Sequence, residues 1–413
     1  MKIHPDLIQT PAQIAELALA LKAEKIIAFD TEFIRETTFY PVVEIIQVAT
    51  ATESWLVDAQ AFKKKGADQA GIRPLLDIFE DQSILKIIHA AQGDQECLFT
   101  SFGVVAVPSL DTAVAASLCG YGDGIGLGNL LKGVLDVSIK KGHARTNWSV
   151  RPLPAQLVDY AHADVVHLVK LGTTLMDQLD GLGRKQWALE LSAKWEDTAL
   201  YLPDPEGITH KLSKGGRLDK KGYAALFELV KWREERVRVL NLPRRWVADD
   251  HVLVDIAQVR PKDMEHLGAF RGLNKGEIKN SGEAILSALR KAEESPEKLV
   301  PPPRGPRLEL PNAEESRVLD LLQCYVGILS DKHQIAAKHL LTSSQLLPLL
   351  RSGAKTPQDL VAAKILTEGA TRLVGDEILA MLNGRRALSV VAEGSGLKGP
   401  QGAKVQIVEL QSS

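Results

Sequence analysis

An apolar run that ends in two acids one residue apart constrains this chain more than any other feature. Residues 26–33 read IIAFDTEF. The first four positions suit a buried strand. Side chains alternate between the two faces of a strand, so Asp30 and Glu32 project to the same side. Two carboxylates on one face repel each other and resist losing water. A fold that accepts them must either leave the strand end in solvent or arrange them around a cation. A hard divalent ion such as magnesium or manganese fits the second option, because such ions prefer carboxylate oxygen. Taken alone, the pair is equally compatible with a solvated strand end.

Two further acids stand in readable local contexts. Asp94 lies in KIIHAAQGDQECL, after a second apolar run and at the start of a helical pattern. By itself it could simply favour the helix N-terminus. Asp164 lies in DYAHADVVHL, four residues after Tyr160. Residues i and i+4 share a helix face, so Tyr160 can aim its hydroxyl at water held beside Asp164. The plain alternatives are an aromatic packed on a sheet and a solvated acid. Carboxylates from separate segments can together hold two divalent ions about 3.5–4 Å apart, a geometry suited to phosphodiester cleavage.

The segments FDTEFIRETTFYPVVEIIQVAT, KIIHAAQGDQECL, LDTAVAASLCGYGDGIGLGNLL and NWSVRPLPAQLVDYAHADVVHL together resemble the motifs of the DEDD family of 3′–5′ exonucleases, and more narrowly its ribonuclease D branch. The resemblance covers roughly residues 1–200. Position 160 is Tyr and position 159 is Asp, which places the chain with the Tyr subclass; His162 has the wrong spacing for the His subclass. The resemblance implies a ribonuclease H-like three-layer α/β fold with a mixed sheet. It also implies two divalent ions (Mg²⁺ or Mn²⁺) held by Asp30, Glu32, Asp94 and Asp164. Asp30 would bridge both, Glu32 and Asp164 would complete the site for the nucleophilic water, Asp94 would help hold the second ion, and Tyr160 would orient the water. The implied substrate is RNA with a free 3′ end, such as a tRNA precursor, and the products are 5′-mononucleotides. His89 and Arg151 are candidate RNA contacts. Two other readings stay open: a 3′–5′ DNA exonuclease, since no residue visibly reads a 2′-hydroxyl, and a catalytically silent nucleic-acid binder. The presence of all four carboxylates with Tyr160 weighs against the latter.

Apolar patterning predicts strands at 25–30, 42–49, 54–58 and 84–89, the first three joined closely enough to be antiparallel. It predicts helices at 71–80, 93–101, 110–119 and 126–133, and a long one over 154–180. The glycines of GYGDGIGLGNLL lack the G-K-[ST] ending of a phosphate loop and read as a loop leading into a helix. The basic stretch 140–148 is a loop that could touch RNA or simply be solvated.

At 413 residues the chain is long enough for several domains. A break near YLPDPEGIT closes the exonuclease-like region at about 205. Residues 211–295 are helical and resemble the HRDC domain, with Arg233, Arg236, Arg244, Arg245 and Lys262 as candidate phosphate contacts. A proline-rich linker at 295–306 precedes a second, weaker HRDC-like region at 307–390. The Gly-rich tail, 391–413, is expected to be flexible, with VQIVEL able to form a short strand. Residues 1–205 carry 18 Lys/Arg and 26 Asp/Glu, a net −8. The rest carry 32 and 26, a net +6. An acidic catalytic half needs cations, and a basic second half attracts phosphate. A fragment ending near Leu202 is therefore expected to keep cleavage of short RNA while losing grip on longer RNA. Cys97, Cys119 and Cys324 are widely spaced, which disfavours disulfides or a structural zinc site and suggests small core residues. The pattern shows no secretory leader or membrane span and predicts a cytoplasmic protein, expected to be monomeric.

Overall fold

The strand that carries Asp30 and Glu32 lies inside a six-stranded mixed sheet. The computed structural model describes residues 1–35, 37–63, 69–139, 142, 146–214, 218–270, 273, 275–294, 310–392 and 403–410. The strands are β1 (Lys2–Ile8), β2 (Ile26–Ile34), β3 (Val42–Ala49), β4 (Glu53–Asp58), β5 (Leu85–Ile88) and β6 (Ser109–Asp111), in the spatial order β1-β4-β3-β2-β5-β6. β2, β3 and β4 form the antiparallel meander that their short connections predict. β1, β5 and β6 join in parallel. β1 escaped the pattern because Pro5 and a register shift between Ile3 and Leu7 interrupt its alternation, which an edge strand tolerates. β6 is too short to show a period.

Alternation along β2 sorts the two faces. Ile27 and Phe29 join Leu17, Leu21, Phe79 and Leu98 in one apolar layer, supplied by the helices Pro11–Lys22, Arg73–Glu80 and Gln92–Phe102. Ala28 points the other way, and Asp30 and Glu32 follow it. That second face is covered by two helices, Ala155–Val165 and Leu168–Gly181, where the pattern predicted one. The break at 166–167 contains neither glycine nor proline. It lets the first helix cover Ile45 and Leu56 while the second covers Ala28, Ile87 and Leu110. The second helix approaches the sheet closely because Gly172 has no side chain: a Cβ there would sit 2.7 Å from the Ile87 side chain.

The first helical module is built on Lys220–Leu240, Asp250–Val259 and Lys275–Glu294. Pro205–Ser213 belongs to it as well, since Ile208 and Leu212 pack on its core. The C-terminal module repeats its opening. Lys220–Leu240 ends in a left-handed Asn241 and leads to the one-turn helix Arg244–Val247. Ala313–His333 is the same length, ends in a left-handed Gln334 and leads to the one-turn helix Ala337–Leu340. The tail is not wholly loose: β7 (Arg386–Ala392) and β8 (Ala403–Glu409), the latter containing all of VQIVEL but its last residue, form an antiparallel ribbon. Of the cysteines, Cys97 is buried, but Cys324 is exposed and so is not a core residue. Most of the basic stretch 140–148 and all of the linker 295–306 lie outside the described residues.

The C-terminal module shares a core with the sheet domain, which changes the expectation for a fragment ending near Leu202. Leu171, Leu175 and Trp187 lie in one apolar cluster with Tyr325, Leu329 and Leu379. Trp187 covers Gly369 so closely that a Cβ there would be 2.1 Å from the indole. Arg184 donates to the carbonyls of Leu118 (2.7 Å) and His333 (3.1 Å) across the joint. Cutting after Leu202 exposes Trp187, a side chain whose burial is worth about 3 kcal/mol or more. We expect the melting temperature of the fragment to fall by on the order of 10 °C, given the entropy of unfolding of a domain this size. Circular dichroism melts check this; a fragment that melts with the full chain would contradict the shared core.

Candidate active site

β2 outruns its neighbour, and the site forms where it does. The last β2–β5 pair is Ala28 with Ile87, whereas β2 continues to Ile34. Beyond Ala28 that edge of β2 has backbone donors with no strand to take them. Asp94, in the first turn of Gln92–Phe102, takes one. Its Oδ1 accepts from the Thr31 amide at 3.0 Å and from the Thr31 hydroxyl at 2.5 Å. Thr31 is therefore a site residue that the sequence reading passed over. It lies between the two acids and points away from them, and D-T-E spacing gives no sign that its backbone is unpaired.

On the other face Asp30, Glu32 and Asp164 converge, each offering an oxygen within 4.8 Å of the others. Asp94 stands outside this trio but close enough to Asp30 to repel its charge. Burial first, then mutual repulsion, holds the Asp30 carboxyl well above the usual range. The same causes push Glu32 up to about 9. Burial raises Asp94 to about 7 against the opposing pull of Thr31. Asp164 rises to about 6 through burial, moderated by a hydrogen bond from Tyr160. Burial and the neighbouring acids raise the Tyr160 hydroxyl as well, so it stays protonated and acts as a hydrogen-bonding group. Its ring lies 6.1 Å from that of Trp148, which is almost fully buried. Directly across from Asp30 on β3 is Gln47, fully buried, with neither amide atom hydrogen-bonded among the described residues. Oxygen-only ligands, mutual charge repulsion and an adjacent unsatisfied amide all fit a hydrated hard cation.

The surroundings hold the carboxylates through backbone turns. Arg151, expected as an RNA contact, is a clamp instead. Its guanidinium bonds Asp58 at 2.7 and 2.9 Å and the carbonyls of Glu44, Trp148 and Val150, which pins the approach to Ala155–Val165 onto β3 and β4. His89, the other expected contact, is turned inward to the Thr112 hydroxyl at 2.9 Å. Asp111, which the sequence reading also passed over, is buried. It accepts from the amides of Ala90 (2.9 Å), Ala91 (3.1 Å) and Ala113 (2.8 Å). Ala90 is left-handed, φ 57°, a conformation unfavourable to a residue with a Cβ. Asp111 thus stabilises the turn that delivers Asp94. In Asp111→Asn one acceptor oxygen becomes a donor facing an N–H. We expect a loss of about 1–3 kcal/mol in stability, the usual cost of an unsatisfied buried group, and about a tenfold lower kcat from misplacement of Asp94. Thermal melts and steady-state kinetics check both; unchanged kcat would show that the turn holds without Asp111.

The basic residues of the first module are mostly committed internally. Arg233 is 1% exposed and bonds Asp250 at 2.7 Å, so it is not a phosphate contact. Arg236 pairs with Glu277 at 3.0 and 3.1 Å. Arg244 pairs with buried Glu234 at 2.6–3.1 Å. Arg245 is exposed and has no ion pair among the described residues.

Comparison with known proteins agrees with this geometry. Residues 5–180 match a 3′–5′ exonuclease family model, and residues 224–289 match the HRDC domain. The chain is 33% identical over 389 residues to a ribonuclease D of Granulibacter bethesdensis, covering 94% of each protein. It is 31% identical to one of Acidiphilium cryptum, covering 98% of each. The crystal structure of Escherichia coli RNase D superposes with a TM-score of 0.74 at 26% identity, over 92% of this chain and 98% of that one. Likeness of this extent spans the catalytic sheet and both helical modules together, and the chain belongs to the ribonuclease D family of 3′–5′ exoribonucleases.

Proposed function

We propose that this exoribonuclease works with two divalent cations, Mg²⁺ or Mn²⁺, held by Asp30, Glu32, Asp94 and Asp164, and that Tyr160 orients the attacking water. The observation that carries the reading is the convergence of Asp30, Glu32 and Asp164 within 4.8 Å, with the Tyr160 hydroxyl bonded to Asp164. Such cations, when bound, lower the pKa of water and offset the charge that develops on the phosphate and the departing 3′ oxygen. The chain's own contributions are positional. Asp30 lies between the other acids and so suits a shared ligand. Thr31 fixes the Asp94 carboxylate by two hydrogen bonds. Tyr160 donates its proton to Asp164, and this places its hydroxyl to turn the attacking water oxygen toward phosphorus. Trp148 and the Arg151 clamp hold the helix that carries both groups.

The substrate class is RNA with a free 3′ end, tRNA precursors in particular, released as 5′-mononucleotides. We propose a cytoplasmic monomer. The test uses RNA and DNA of identical sequence, labelled at either end, with Mg²⁺, Mn²⁺ or chelator. The expected result is stepwise loss from the 3′ end, faster on RNA and stopped by chelator. Chelator-insensitive cleavage, or shortening from the 5′ end, would overturn the reading.

A further inference from the structure

The catalytic domain and the first helical module meet at a small joint on the connection between β2 and β3. Asn241 caps Lys220–Leu240 in a left-handed conformation, φ 48°. Its side-chain oxygen accepts the backbone N–H groups of Phe39 at 3.1 Å and Tyr40 at 3.0 Å. The Arg244 guanidinium lies 4.8 Å from the centroid of the Phe39 ring and is held in place by Glu234, only 2% exposed. The Phe39 and Tyr40 rings meet edge to face at 4.5 Å, and both remain half-exposed. This connection between β2 and β3 begins three residues past Glu32, about 10 Å along an extended strand. An aromatic pair on the loop that continues the carboxylate-bearing strand is therefore fixed from outside the catalytic domain.

The second module docks through the equivalent turn, and the contrast is informative. There Gln334 lies against Gly120, and Lys338 pairs with Asp123 at 2.5 Å. In the first module the residue matching Lys338 is Arg245, exposed and without an ion pair among the described residues. Next to it is Trp246, 46% exposed. A half-exposed indole beside an uncompensated arginine offers a flat apolar face and a positive charge together. Aromatic faces interleaved with cations bind single-stranded nucleic acid, bases stacking and phosphates meeting charge.

We propose that Phe39, Tyr40, Arg245 and Trp246 form a platform for the single-stranded RNA nucleotides that precede the one being removed, and that Asn241 and Arg244 are positioning residues that hold it. The platform rests on the exoribonuclease reading and deepens it. It assigns the first module a share of the substrate channel itself, beyond capture of a distant RNA body.

The test uses the full chain, with oligoadenylate of about ten nucleotides, long enough to span a single-strand groove, and the dinucleotide ApA. For Trp246→Ala we expect KM for the longer RNA to rise about tenfold, the equivalent of one lost base stack. We expect kcat to change less, and the penalty on ApA to be smaller. Asn241→Gly keeps the left-handed backbone but removes the acceptor, and should behave alike. Asn241→Asp restores an oxygen that can accept both N–H groups, and should recover most of the loss. A structural defect would penalise both substrates equally. Equal penalties, an unmoved KM in Trp246→Ala, or Asn241→Asp no better than Asn241→Gly would overturn the platform. Failure of the unmodified chain to shorten the longer RNA would overturn the exoribonuclease reading as well, so the two failures are distinct.

Discussion

Asp30→Asn is expected to lower kcat by on the order of 10³-fold or more, since electrostatic stabilisation by bound cations is worth several kcal/mol in the transition state. A neutral amide cannot serve as a shared ligand between the other acids. RNA affinity should largely survive, because most of it comes from cations meeting phosphates elsewhere on the chain. The substitution should also relieve strain in the metal-free protein. Folded-state values raised by burial, joined by repulsion at Glu32, reach about 9 for Glu32 and about 6 for Asp164, so the folded state holds more protons than the unfolded one. The associated stability is complete below the unfolded carboxylate range and is lost as pH rises through these folded values. Metal-free wild-type protein should therefore melt at lower temperature at pH 9 than at pH 5, and Asp30→Asn should narrow that gap. Single-turnover assays and melts in chelator check both parts. Near-normal turnover by purified Asp30→Asn would sink the assignment of the metal site.

Tyr160→Phe should reduce kcat by roughly 10²–10⁴, the range for a positioned hydrogen-bonding group in proton-transfer chemistry. Packing is retained, because the ring keeps its place beside Trp148. The hydroxyl makes a hydrogen bond to Asp164, so its loss also lets the Asp164 carboxyl rise further. The expected signature is a large fall in kcat with little change in KM for RNA or in melting temperature. If melting temperature falls and turnover per folded molecule is kept, Tyr160 is a packing residue only.

Much of the site was legible in the chain because its residues obey local periods. Asp30 and Glu32 are two apart on a strand, and Tyr160 and Asp164 are four apart on a helix, so each pair shares a face wherever the element goes. The meander of β2, β3 and β4 was legible for the same reason, since alternation and short connections leave few ways to pair. Arg233 and Arg151 were misjudged as RNA contacts because sequence shows a charge and not its partner. Arg233 and Arg151 are answered by Asp250 and Asp58, residues 17 and 93 positions away.

By itself, then, the sequence determined which residue types stand on which face of each strand and helix, and so the acids, the tyrosine and the order of elements. Only the tertiary structure decided that Asp94 reaches the unpaired edge of β2 through Thr31. It also decided that Asp111 supports the turn before Asp94, that the C-terminal module shares the catalytic core through Trp187, and that Asn241 grips the loop at Phe39 and Tyr40. The reason is physical. A local period reports the face a residue presents, whereas an unpaired N–H, a buried charge or a bare glycine selects its partner from any part of the chain that folding brings within hydrogen-bonding or van der Waals distance.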